Sequence, residues 1–245
     1  MEAGELINRL ESDGRLLIVA AQRAGWDAPV PGTEWNVRDL VTHTGGIHRW
    51  AADVVTTGSS TLATTAGRAV GTGPADDELV DWFESGHAAL VATLRSAAPD
   101  VECAAFLPAD SPLHFWSRRQ AHETAIHRTD AEGAAGGDVT PFEVEFAQDG
   151  IAEMLRGFVA SKPNPPERKA TFGFDTADGP SWLVTFGAER VEVDESDQLD
   201  GSDVIVHGDS SGVYRWLWNR PSDVVVDGDP ELATLWSDEI KVRWN

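Results

Sequence analysis

The chain has 245 residues, of which 41% are hydrophobic and 24% charged, as in ordinary folded proteins of one or two domains. Its formal net charge is −22 at pH 7. Such a charge repels nucleic-acid phosphates and anionic membrane surfaces, so we expect neither partner. The first residues lack a basic region followed by an apolar core, and no apolar window is long enough to span a bilayer. We therefore expect a cytoplasmic protein.

The first part of the chain has the apolar spacing of helices. It predicts a first helix over about 6–23 and a second helix capped by Asn36, with Asp39 in its first turn. The polar stretch 58–74 predicts a long loop, which is either a lid or a plain connector. A third helix is expected to begin near Asp76.

Two further helices have clear boundary signals. Ser111 is a good N-cap, a proline follows it, and Gly133 offers a stop for the fourth helix. Thr140 and Glu143 have the spacing of a capping box, which predicts a fifth helix that ends near residue 161.

A proline-rich segment at 161–168 cannot continue a helix, and we interpret it as an interdomain linker. It separates a predicted helical domain, 1–160, from a small C-terminal domain, 169–245.

The C-terminal part changes to the period of two that is typical of β-strands, with short helices expected near 210–218 and 230–239. We therefore predict a small α+β domain. Its strand positions include Trp182, Val184, Phe186, Val191, Val193, 204–206 and 224–226.

Glu123 and His127 are four residues apart on the predicted fourth helix, which places both side chains on one face. On the second helix His43 lies in an apolar, inward stripe, whereas His48 lies about 140° around the helix. His122 is rotated by the same angle from His127. Two imidazoles and one carboxylate leave open coordination positions, as in catalytic zinc sites.

The residues alone leave two interpretations open. Glutamate and histidine often occur at this spacing by chance, and buried histidines commonly make only a hydrogen bond. Arg119, Glu123, His127 and Asp130 also fit a solvated helix stripe. If the site is real, its ligands suit a divalent metal, zinc foremost, with iron, nickel and manganese as alternatives.

The segment 35–43 (WNVRDLVTH), the segment 118–127 (RRQAHETAIH) and the β-rich C-terminal part together resemble the mycothiol-dependent maleylpyruvate isomerase family. This family belongs to the DinB-like four-helix metalloproteins. The resemblance implies an α+β protein with a DinB-like four-helix bundle followed by a small, sterol-carrier-like α+β domain. It also implies that His43, Glu123 and His127 are the metal ligands.

The resemblance implies a thiol-dependent reaction. A divalent ion with an open position lowers the pKa of a thiol such as mycothiol. In the family's named activity the thiol adds to the double bond of maleylpyruvate, the adduct rotates, and loss of the thiol leaves the trans isomer. Transfer of the thiol needs the same centre, so isomerase and S-transferase both stay open.

A small anionic substrate needs a local cationic clamp on such an acidic protein. The candidates for this catalytic role are Arg119 and Arg220, with Arg215 as a further one. The resemblance implies an arginine from the C-terminal domain, whereas a salt bridge on the helix is the alternative role of Arg119.

Two other functions compete with the thiol-dependent enzyme. The first is a non-catalytic DinB-like protein that binds a metal or an apolar small molecule. The second is metal-assisted hydrolysis, for which Asp130 is the candidate base. In each case we expect a small-molecule partner, and a monomer or weak homodimer.

Overall fold

The structure, a computed structural model, describes residues 1–162 and 166–240. It divides into two compact units, Met1–Thr140 and Pro141–Asn245. The division differs from the predicted boundary at residue 160, and the predicted linker, 161–168, includes residues 163–165, which lie outside the described residues. No helix in the described part of the chain combines the length and apolar character that a membrane crossing requires.

The first unit is a helical bundle. His114 contacts Met1, and Arg128 contacts Asp13, so the first and last long helices run in the same direction. The two middle helices are also parallel to each other and antiparallel to the outer pair. The helices are α1 (Ala3–Ala24), α2 (Val37–Thr57), the short α3 (Thr65–Arg68), α4 (Leu79–Ser96) and α5 (Pro112–Ala134).

The predicted N-caps of α2 and α5 are confirmed. The Asn36 side chain accepts a hydrogen bond from the Asp39 amide at 2.9 Å, and Ser111 Oγ accepts one from the His114 amide at 3.1 Å. The predicted stop at Gly133 is one residue early, because the helix continues through Ala134.

Two other predicted helix starts are wrong. Helix α4 begins at Leu79, three residues after the predicted Asp76. The predicted capping box of Thr140 does not form, because its amide and hydroxyl donate to Glu132 at 2.8 and 3.0 Å. The next helix begins at Val144 instead.

The predicted loop at 58–74 contains α3 and is hydrogen-bonded to α2. The indole Nε1 of Trp50 donates to the carbonyl of Leu62 at 2.9 Å, and Thr64 caps α3 through the amide of Gly67. These bonds hold the loop against the bundle, which favours the interpretation as a structured connector.

The second unit is α+β, as predicted. Within the described residues its sheet has the order β3-β2-β1-β4-β5, in which only β1 and β4 pair in parallel. Its elements are α6 (Val144–Ala152), which continues as a π-helical segment (Glu153–Val159), β1 (Ala170–Thr176), β2 (Trp182–Phe186), β3 (Val191–Glu195), β4 (Val204–Gly208), α7 (Ser210–Leu217), β5 (Val225–Gly228) and α8 (Pro230–Glu239).

Aromatic side chains form the core of the second unit. Phe172 and Phe174 of β1 and Phe186 of β2 surround the buried Trp236 of α8, with ring centroids 5.1–6.3 Å apart. Helix α6 belongs to this unit because Phe146 packs against Tyr214 of α7. This packing is the reason that the division falls before α6 and not after it.

Two buried histidines, one on α2 and one on α4, lie next to each other inside the first unit. His48 of α2 is fully buried, with Nε2 2.8 Å from Thr124 Oγ1, and its ring centroid lies 5.1 Å from that of His87 of α4. His87 Nε2 donates to the Glu11 carbonyl at 3.3 Å, and a β-carbon at Gly14 would overlap its ring. Burial lowers the pKa of His48 well below its usual range, and it also lowers the pKa of His87.

We predict that the free energy of unfolding of the metal-free protein decreases as the pH falls below about 6.5, the usual pKa of histidine. In that range the unfolded chain protonates His48 and His87 while the folded chain keeps them neutral, so protons favour unfolding. Each group contributes a slope of up to about 1.4 kcal/mol per pH unit. Denaturant unfolding at several pH values measures the slope, and His87→Gln should make it shallower. Parallel curves for the two proteins would contradict the prediction.

Candidate metal centre

His43, Glu123 and His127 form the candidate site. Glu123 Oε1 lies 3.3 Å from His43 Nε2 and 3.2 Å from His127 Nε2. One potential ligand atom from each of the three buried residues lies within 4.8 Å of the other two. In the part of the chain that the structure describes, no other group of three such side chains meets this condition.

The local sequence explains this arrangement. Glu123 and His127 are one turn apart on α5, so their side chains leave the helix in the same direction. His43 lies on the stripe of α2 that also carries Leu40, Ile47 and Trp50, all buried. The apolar stripe turns His43 inward, toward the carboxylate of α5.

The distances suit a metal ion. Zinc binds imidazole nitrogen and carboxylate oxygen at about 2.0–2.2 Å, so neighbouring ligand atoms of one ion lie about 3–3.5 Å apart. The two contacts of Glu123 Oε1, at 3.2 and 3.3 Å, fall in this range. Three protein ligands leave room for further ones, as catalytic sites require.

Arg119 balances the charge of the buried carboxylate. Its Nη2 donates to Glu123 Oε2 at 3.0 Å, and its side chain is 0% exposed. Burial alone would raise the pKa of the Glu123 carboxyl, but the bonds from His127 and His43 and the charge of Arg119 hold that pKa well below its usual range. Glu123 is therefore ionised, which is the state that binds a metal.

Asp130 orients His127. Its Oδ2 accepts a hydrogen bond from His127 Nδ1 at 2.9 Å, which leaves Nε2 to face Glu123 and His43. Burial lowers the pKa of His127, but the bonds to Asp130 and Glu123 outweigh it and raise the pKa to about 9. A carboxylate behind a histidine ligand is the usual support of metal sites in proteins. Asp130, the candidate base for hydrolysis, thus contacts the candidate ligand His127.

The indole of Trp35 covers the two imidazoles. Its centroid lies 4.7 Å from that of His43 and 5.8 Å from that of His127. A tight turn before α2 holds it, because the Val30 amide donates to the Trp35 carbonyl at 2.9 Å and the Trp35 amide donates to Thr33 Oγ1 at 3.1 Å. Trp35 precedes helix α2, so the periodicity of that helix could not predict this role.

The other residues singled out from the sequence have different positions. His48 bonds to Thr124 and is not a member of the candidate ligand group. His122 is fully buried and is not a member of the ligand group. Arg220 and Arg215 belong to the second unit, where their guanidinium groups donate to the carbonyls of Trp218 and Pro221 at 2.8 and 3.1 Å.

The structure corrects the solvated-stripe interpretation of α5. Arg119, Glu123, His127 and Asp130 are all buried, so the stripe faces the interior of the bundle. A helix with buried charges needs internal partners for each of them. The sequence could not show this, because α5 has polar residues on most of its faces.

Two family models match the chain. The model for the mycothiol maleylpyruvate isomerase N-terminal domain matches residues 8–132, and the model for the C-terminal domain of the same family matches residues 145–235. The chain belongs to this family. The predicted resemblance is thus confirmed, and the first model spans all three candidate ligands.

Solved structures of the family share the fold. Crystal structures of the mycothiol-dependent maleylpyruvate isomerase and of a histidine-to-alanine mutant each cover 93% of this chain and 93% of their own chain, with TM-scores of 0.63 and 0.65. Both are 15% identical to this chain, a level at which the likeness establishes the fold. No curated protein sequence matches.

We predict that the purified protein binds one divalent ion and that Glu123→Gln weakens this binding by at least about tenfold. The variant removes the ligand charge that stands between His43 and His127. Titration with Zn²⁺ and metal analysis after dialysis measure the effect. His114→Gln is the matched control, because His114 is on the same helix but bonds to the Met1 carbonyl. Equal metal content in wild type and Glu123→Gln would contradict the assignment.

We also predict that Asp130→Asn lowers metal affinity about 10- to 100-fold, the range found when the residue behind a ligating histidine is replaced. The amide keeps the shape of the carboxylate but loses the charge that acts on His127 Nδ1. Competition with a coloured chelator measures the affinity. The prediction fails if Asp130→Asn retains the affinity of the wild type.

Proposed function

We propose that the protein is a thiol-dependent isomerase or S-transferase that acts on a small, anionic electrophile such as maleylpyruvate. A divalent ion, zinc foremost, is the proposed cofactor, and mycothiol or a similar thiol is the proposed co-substrate. The single observation that carries the proposal is the convergence of His43, Glu123 and His127 in a buried position, in a chain of this family.

The proposed metal ion acts as a Lewis acid. It lowers the pKa of a thiol that binds to it, so that the thiolate forms at neutral pH. The protein's own residues set the conditions for this chemistry. Arg119 and the two imidazoles keep Glu123 ionised, and Asp130 keeps Nε2 of His127 directed at the site. Trp35 covers the imidazoles with an apolar surface, which limits the access of water.

The reaction needs no net redox change. In the isomerase, a carbon–sulfur bond forms as the thiolate adds to the double bond, and the neighbouring carbon gains a proton. Rotation about the resulting single bond follows, after which loss of that proton and of the thiolate restores the double bond in the trans form. In the S-transferase, the carbon–sulfur bond is retained.

The carboxylate clamp is assigned to Arg220. Arg119 is fully buried and bonded to Glu123, so we assign it to the positioning of the metal ligand and not to substrate. Arg220 follows Asn219, whose positive φ of 58° ends α7 in a left-handed turn. The assignment rests on the family resemblance, which implies an arginine from the C-terminal domain.

The test is incubation of the metal-loaded protein with mycothiol and maleylpyruvate, with the trans isomer and the free thiol measured together. An isomerase forms the trans isomer while the thiol concentration stays constant, because each thiol is released again. An S-transferase consumes thiol and electrophile in equal amounts. Either activity is expected to disappear in Glu123→Gln and to persist in His114→Gln.

Two further outcomes decide between the alternatives. Arg220→Ala should raise the KM for the anionic electrophile and leave the metal content unchanged, if this arginine is the clamp. A wild-type protein that holds its metal but gives neither product nor thiol loss, with a panel of thiols and electrophiles, would favour the non-catalytic binding protein and overturn the proposal.

A further inference from the structure

We propose that Gln120 is a binding residue for an amide group on the thiol that the metal centre uses. The inference rests on the proposed function and adds to it the chemical class of the thiol. Gln120 is fully buried, and both polar atoms of its side chain, Oε1 and Nε2, have no hydrogen-bond partner in the described part of the chain.

Gln120 lies on the stripe of α5 that carries the metal ligands. It precedes His127 by seven residues, about 20° around the helix, and Glu123 by three, about 60°. Trp116, four residues earlier, packs against Trp50 of α2 with ring centroids 5.1 Å apart. The stripe thus faces α2 along its length, and Gln120 stands between an aromatic layer and the metal centre.

An unpartnered buried amide needs an explanation. More than nine in ten buried polar groups in proteins have a partner, because an unsatisfied one costs stability. Ser117, one turn from Gln120, is also fully buried and its Oγ has no partner among the described residues. By contrast, Thr124, one turn after Gln120 on α5, has a hydrogen-bond partner within the bundle in His48. Gln120 and Ser117 therefore form a polar patch that the protein itself does not complete.

The two unpartnered atoms of the Gln120 side chain define which chemical group the ligand must present. Nε2 donates and Oε1 accepts, so a complete partner must present an acceptor and a donor side by side. A carboxylate satisfies Nε2 alone and brings its charge near Oε1. An amide supplies both a carbonyl and an N–H. The rise from Gln120 to Glu123 is about 4.5 Å, which a thiol sulfur and an amide joined by two carbon atoms can span.

The test uses a pair of thiols that differ only at the amide nitrogen. N-acetylcysteamine has an N–H, and its N-methyl derivative keeps the thiol and the carbonyl but has none. Their dissociation constants are measured on the Co²⁺-loaded protein from the thiolate-to-cobalt absorption band. We expect the wild type to bind N-acetylcysteamine about tenfold more tightly, the effect of one hydrogen bond in a buried site.

Gln120→Leu should bind the two thiols equally, and the N-methyl compound more weakly than the wild type does, because leucine replaces neither the donor for the carbonyl nor the acceptor for the N–H. Gln22→Leu, the same change at an exposed position of α1, should keep the tenfold preference. A second readout needs no ligand: the thermal midpoint of metal-free Gln120→Leu should exceed that of the wild type, because an unpaired buried amide has been removed.

The failures of the two proposals are distinguishable. A wild-type protein with no thiolate band for either thiol would overturn the proposed function. A band with equal dissociation constants in the wild type would overturn the role of Gln120 and leave the thiol-dependent function intact. A lower thermal midpoint in Gln120→Leu would also overturn it, since it would mean that the amide has a partner within the folded protein.

Discussion

The bundle and its candidate site both depend on the contacts of the Glu123 carboxylate. Its two oxygens have separate tasks: Oε1 faces the imidazoles of His43 and His127, and Oε2 accepts from Arg119. A buried charge that loses its partner costs about 3–5 kcal/mol. Helices α2 and α5 must therefore meet at one register, so the contact that builds the candidate metal centre also fixes the packing of the helices around it.

The local charge of the centre differs from that of the whole protein. Arg119 neutralises Glu123, and Asp130 lies behind His127. With neutral imidazoles, a divalent ion at this position would leave one excess positive charge, which a single thiolate can balance. In a buried site this local charge acts on an anionic ligand more strongly than the distant surface charges do, because water and salt screen those. A protein with a net charge of −22 can thus hold an anionic ligand.

The sequence could predict those features that depend on local spacing. The caps at Asn36 and Ser111, the shared face of Glu123 and His127, and the inward stripe of His43 follow from helix geometry. The burial of Arg119 and the role of Trp35 could not be predicted, since both depend on which helices become neighbours. The contact of His43 with Glu123 joins residues 80 positions apart, so the inward stripe could only suggest it, and the family pattern strengthened that prediction.

The polar side chains that helix α5 buries reduce the stability of the bundle, and the candidate site explains their presence. A helix at the centre of a bundle would be most stable with apolar side chains, yet α5 buries Arg119, Gln120, Glu123 and His127. The apolar faces of α1, α2 and α4 must offset the desolvation of these groups. Charged pairs such as Glu123 and Arg119 offset part of this desolvation cost within the fold. Gln120 has no hydrogen-bond partner among the described residues, and the proposed ligand at the candidate metal centre would supply one.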